Sequence, residues 1–149
     1  MSEDEKNNLK LIGKNQEDLK VISAYSQDSI VTVKDITFLK KNRIFIMIIN
    51  RFMWEDIERG INRQSKRIRC ALKFEGILKV KSKKINQKNG NKRLECLAIK
   101  CNEILSKNYE INFFFAGGSI ITLISESIEA VMNDLGASWN VKYVPKHRI

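Results

Sequence analysis

The sequence is poor in the residues that most chemistry needs. Its one histidine, His147, lies near the end of the chain, so neither a Ser-His-Asp nor a Cys-His arrangement is expected in the core, nor a histidine-based metal site. No Walker A loop and no dinucleotide-binding glycine fingerprint occurs, and no cofactor is expected. Three cysteines, Cys70, Cys96 and Cys101, make an odd set without a Cys-x-x-Cys pair. That usage suits a reducing compartment, where free cysteines serve as small apolar fillers, and the expected location is the cytoplasm. The longest apolar run, Ile44 to Ile49, falls far short of the ~20 residues of a membrane helix, so no membrane insertion is expected. The start, Met1 to Asn8, is acidic and polar, unlike a secretory signal. With a single proline and 43% apolar residues, wholesale disorder is excluded as well.

What is present is enough apolar material for one domain, placed at residues 9–140 between an acidic disordered tail, 1–8, and a basic tail, 141–149. The net charge of +10 is concentrated. Lys40 to Lys92 holds 16 Lys and Arg against four acids, a segment charge of +12 that leaves −2 for the rest. A polyanion-binding surface is one reading of that asymmetry. Composition is the other, because Ile, Asn and Lys together supply 54 of the 149 residues.

Along the chain, Leu9 to Leu11 reads as a short strand. Asn15 has N-cap character, with Glu17 and Asp18 in the first turn of a helix reaching about Ser26 and burying Leu19 and Ile22. Short β-type runs follow at Ile30–Val33 and Ile36–Leu39, parted by Lys34-Asp35. A long strand from Arg43 to Trp54 then has both faces apolar at its centre. Residues 55–66 are polar and read as an exposed loop. Arg67 to Phe74 alternates cleanly, with Ile68, Cys70, Leu72 and Phe74 inward. After Glu75-Gly76, Leu78 and Val80 oppose Lys79, Lys81 and Lys83, and Gln87 to Asn91 carries the Asn-Gly signal of a hairpin. Leu94 to Cys101 is a further strand.

The best-specified stretch is Tyr109 to Gly136. It reads as a strand with Phe113 and Phe115 inward, a turn at Gly117-Gly118, a second strand, and a helix from Ser125 to Leu135 that covers the sheet with Ile128, Val131, Met132 and Leu135. The expected class is α+β, mainly antiparallel β: a curved meander or partial barrel of about 7–8 strands, with an N-terminal helix and a closing C-terminal helix. That is the order of elements in pleckstrin-homology-like half-open barrels, a likeness of fold that carries no function.

No catalytic residue can be named. Glu55 with Glu58 and Glu126 with Glu129 are better read as solvated charges than as acid/base pairs. The leading expectation is therefore a small non-enzymatic binding or interaction module, with a protein partner or self-association. A nucleic-acid-binding protein using the basic strands 67–84, through Arg67, Arg69, Lys73, Lys79, Lys81, Lys83 and Lys84, is the alternative. A third reading puts a phosphate or carboxylate at Arg51, Arg67 and Arg69, since guanidinium forks suit planar oxyanions; against it stands a structural role in which arginine stems cover the rim of Trp54.

Five strings, taken together and in order over Leu9 to Trp139, resemble the bacterial family called domain of unknown function 2948. They are Asn50-Arg51-Phe52-x-Trp54-Glu55, Arg67-x-Arg69-x-Ala71-Leu72-x-Phe74, Phe115-Ala-Gly117-Gly118, Ile128-Glu129-Ala130 and Asp134-Leu135-Gly136-x-x-Trp139. The resemblance implies a small stand-alone bacterial protein. It carries over no activity, cofactor or site residue.

Overall fold

The helix forms where its cap is built. In the computed structural model, which describes residues 8–55 and 66–140, helix α1 (Gln16–Ser26) starts at Asn15, whose Oδ1 accepts from the Asp18 N–H at 2.8 Å. Asp18 Oδ2 in turn accepts from the Lys14 N–H at 2.9 Å, so each side chain satisfies a backbone donor near the helix start. Leu19 and Ile22 are buried, and Ser23 Oγ accepts from the Ile99 N–H at 2.9 Å, which ties the helix to the sheet.

The described residues also form nine strands: β1 (Lys10–Gly13), β2 (Ile30–Leu39), β3 (Ile44–Phe52), β4 (Lys66–Glu75), β5 (Ile77–Lys83), β6 (Arg93–Glu103), β7 (Tyr109–Phe115), β8 (Ile120–Ser125) and β9 (Ala130–Asn140). They form one antiparallel sheet in the order β1-β9-β4-β3-β2-β6-β7-β8-β5, left open at β1 and β5. The sheet is coiled enough for its halves to pack on each other. Phe113 of β7 meets Phe45 of β3 at 5.7 Å and Phe74 of β4 at 5.4 Å between ring centroids. Between them lie Met47, Leu72, Ile111, Leu123 and Met132, all essentially inaccessible to solvent.

Bulges bend the strands. The Lys34-Asp35 interruption is a bulge inside a single strand, where the pairing of β2 with β3 shifts between Val31 and Ile36. Val31 and Val33 face the core before it, and Ile36 and Phe38 after it. A second shift, between Cys96 and Ala98 of β6, does the same. Leu94 and Cys96 are buried ahead of it and Ile99 beyond it, while Leu97 points outward. Uninterrupted alternation from Leu94 to Cys101 therefore does not occur.

The closing helix expected at Ser125–Leu135 is absent; that segment runs into β9. Ile128, Ala130, Met132 and Asp134 are buried on alternate positions, a period of two. Val131 and Leu135 face outward but are also apolar, so 128, 131, 132 and 135 imitate helical spacing. β9 pairs with β4 on one side and β1 on the other. The only α-helix of two or more turns among the described residues thus precedes the large strands, and the pleckstrin-homology-like order is not found. A simple meander is not found either. β5 pairs with β8, not with β4 or β6, so the Gln87–Asn91 turn joins strands that are not partners and is no hairpin.

The turn at Gly117-Gly118 is where it was expected, between β7 and β8, with φ of +83° and +84°. Gly76 (φ +74°) lets the chain pass from one half of the sheet to the other between β4 and β5. The tails expected at 1–8 and 141–149 fall outside the described residues except for Asn8, whose Nδ2 donates to the Gly136 carbonyl at 3.2 Å. Of the expected loop at 55–66, residues 56–65 are likewise outside; Glu55 is buried and Lys66 begins β4.

Candidate functional site

Strand parity sorts the expected site residues onto three surfaces. On β5, Val80 pairs with Leu123 and turns inward, so Lys79, Lys81 and Lys83 point away from the core, opposite Ile124, Thr122 and Ile120 of β8. The next strand on that outer face contributes Phe114, paired with Ile120, and Asn112, paired with Thr122. β6 adds Lys100, opposite Asn112, and its Nζ stands 5.7 Å from the centroid of the Phe114 ring. A chain of side chains holds the centre of this face. Thr122 Oγ1 donates to Asn112 Oδ1 at 2.6 Å, and Asn112 Nδ2 donates to Glu110 Oε1 at 2.9 Å. Among the described residues, Lys79, Lys81, Lys83 and Lys100 form no salt bridge. The result is a half-buried aromatic ring on the outer face of the sheet, bordered by four lysines without a salt bridge among the described residues.

Arg67, Arg69 and Lys73 are elsewhere, on the outer face of β4 in the other half of the sheet. Arg67 packs over the Phe52 ring at 5.6 Å, and its Nη1 donates to the carbonyls of Asp28 and Asn50 at 3.2 and 3.0 Å. Burial lowers its pKa, and the charges of Asp28 and Glu95 work against that shift. Lys73 is engaged by Glu75 at 3.1 Å, and Arg69 is exposed. The basic strands 67–84 therefore do not make one continuous surface.

Arg51 lies on the inner side of the same strands, paired with Ile68, and its side chain is fully buried. Its Nε donates to Asp134 Oδ1 and its Nη2 to Asp134 Oδ2, both at 2.7 Å. Nη1 and Nη2 also grip Glu55 at 2.9 and 2.7 Å. The Leu9 N–H donates to Asp134 Oδ2 at 2.8 Å, and Tyr25 of α1 lies 5.9 Å from the guanidinium. Burial alone would lower the pKa of Arg51, but the bonds and charges of Asp134 and Glu55 outweigh it and hold the group above its ordinary value. This is a buried structural ion triad, with four N–H···O contacts on one guanidinium. Arg51 is thus not brought together with Arg67 and Arg69. Trp54, next to the triad, donates its Nε1–H to the Gln27 carbonyl at 2.9 Å.

Two of the strings that gave the resemblance meet in the triad, Arg51 and Glu55 from the first and Asp134 from the last, while on the outer face Trp139 of the last stands opposite Arg67 of the second in the register of β4 and β9. The family described as Protein of unknown function (DUF2948) matches residues 9–147, nearly the whole chain. The chain belongs to this family. No curated protein and no solved structure matches it.

In this DUF2948 protein the cysteines Cys70, Cys96 and Cys101 are free thiols. Cys70 and Cys96 are buried, and burial raises the pKa of each, that of Cys96 to about 12; the half-buried Cys101 is raised to about 11 by the same cause. No group of His, Cys, Asp and Glu suited to a metal ion occurs among the described residues. No helix among them is long and apolar enough to cross a membrane. Reading by sequence missed Phe114 and Lys100. The signal was present, because placing Phe113 and Phe115 inward sends Phe114 outward.

Proposed function

We propose that the protein is a small non-enzymatic binding module of the bacterial cytoplasm that takes single-stranded nucleic acid across the outer face of β5, β8, β7 and β6. The observation that carries this reading is the Phe114 ring, with Lys100 Nζ 5.7 Å away and Lys79, Lys81 and Lys83 on the same face. An unpaired base stacks on such a ring while its flanking phosphates meet the ammonium groups. Three free thiols support the reducing compartment. The test is anisotropy of a labelled oligothymidylate. Phe114→Ala should weaken binding about five- to 150-fold, the effect of losing ~1–3 kcal/mol of stacking, and Lys81→Glu should weaken it while the fold is unchanged. Equal affinity for both variants and the native protein would end this reading.

A second reading, a protein partner or self-association, is supported by the other outer face. Ile12, Val131, Ile46 and Ile48 point outward there from β1, β9 and β3, and Ile12 is 57% exposed. Light scattering across protein concentration tests it: dimerisation abolished by Ile46→Lys would support the face, and a monomer throughout would count against self-association. An anion held jointly by Arg51, Arg67 and Arg69 has the least support, since the donors of Arg51 are taken by Glu55 and Asp134.

A further inference from the structure

The sheet fails to close along one line, and that line is lined for a ligand. Beyond its bulge, β2 pairs only with β3; the last backbone bonds on its other side are Val33 N–H to Lys92 O and Lys34 N–H to Gly90 O. β5 is the terminal strand of the sheet, and among the described residues no backbone hydrogen bond joins it to β2. Between the two strands lies a cleft of about 420 Å³, a size within the ~300–1,000 Å³ range of small-ligand pockets.

Its chemistry is divided. Ile36 and Phe38 of β2 and Val80 of β5 form the walls with Phe45 and Ile121 beneath, and these apolar groups pack on the main core. At the rim stand Lys34 and Lys88, both exposed, with no acidic side chain among the lining residues. Two lysines and no carboxylate among the lining residues select for negative charge. No side chain of the lining is a nucleophile positioned by a base, so the cleft is built to hold its occupant and not to convert it.

We propose that this cleft binds a small amphipathic anion, a molecule with an apolar tail and one carboxylate or phosphate head group. The tail replaces water along Ile36, Phe38 and Val80, and the head group is held between Lys34 and Lys88. The site is separate from the Phe114 face, because Val80 turns to the inner side of β5 whereas Lys79 and Lys81 turn to the outer side.

The test is a titration of the isotope-labelled protein, followed by amide chemical shifts, with decanoate and with decylammonium. Saturable decanoate shifts confined to residues 33–38, 45, 80–90 and 121, with decylammonium at least tenfold weaker, are the expected result. The double variant Lys34→Glu/Lys88→Glu should lose at least tenfold in decanoate affinity. Ser82→Phe, which fills the cleft from β5, should abolish the shifts; if it does not fold, the charge-reversed variant still decides, because both lysines are exposed. Absence of saturation, equal affinity for the two amphiphiles, or shifts centred on Phe114 would overturn the proposal.

Discussion

Replacing Arg51 by Met removes the one cation that holds two carboxylates together inside the protein. Asp134 would lose both of its 2.7 Å contacts, and Glu55 would lose both of its 2.7–2.9 Å contacts. The Asp134 side chain has no exposed surface and that of Glu55 only 10%, so water cannot take over the role of the guanidinium without opening the structure. Breaking one partner out of a buried ion cluster costs about 3–5 kcal/mol, and at ~2–4 °C per kcal/mol for a chain of this length the melting temperature should fall by about 6–20 °C. Urea unfolding followed by circular dichroism measures the loss, with Arg69→Ala as the control. Arg69 is exposed, and its removal should change stability by less than ~0.5 kcal/mol. Adding 10 mM phosphate should leave the native melting temperature where it was, as expected if Arg51 is occupied internally. A loss below ~1 kcal/mol in Arg51→Met, or a phosphate-induced rise that disappears with Arg51, would refute the structural role of the triad.

Three other perturbations probe the fold. Val131→Asp should cost under ~1 kcal/mol, since Val131 faces outward next to Lys73, whereas Met132→Asp, at a position with no exposure, should unfold the protein; urea midpoints of the two variants distinguish strand from helix here. Gly76→Ala should lower stability by about 1–2 kcal/mol, because φ is +74° and a Cβ would sit 3.1 Å from Ser127 Oγ, and the same unfolding curves report it. Thiol labelling at pH 8 should leave Cys70 and Cys96 untouched in the native state. The raised folded-state pKa of Cys96 means that stability is complete below the unfolded thiol value, ~8.5, and is lost as pH climbs toward about 12, which a series of alkaline melts would show as falling midpoints.

Local signals were legible in the sequence and non-local ones were not. The N-cap at Asn15, the alternation of Arg67 to Phe74 and the glycine turn at 117–118 are each decided within a few residues, and each is present. The pairing of β5 with β8 and of β9 with β1 joins segments far apart in the chain, and no local pattern encodes it. Segment 128–135 misled because outward-facing Val131 and Leu135 are apolar, which hides a period of two. Arg51 stands in one of the strings that carry the resemblance, yet what holds it in place is Asp134, 83 residues away. A buried arginine and a ligand-binding arginine look alike until their partners are known. Lysines of the basic segment were counted together, but strand parity sends Lys79, Lys81 and Lys83 to one outer face and Arg67, Arg69 and Lys73 to another.

The central claim is that the Phe114 face, and not the whole basic segment, receives single-stranded nucleic acid. Its most direct measurement is the chemical-shift footprint of an oligothymidylate of about ten nucleotides, with affinities taken over a range of salt. The account predicts shifts at residues 79–83, 98–102, 112–114 and 120–124, and a slope of log affinity against log salt of about −2.8 for four neutralised phosphates. Shifts centred on Arg67, Arg69 and Lys73, or affinity indifferent to salt, would contradict it.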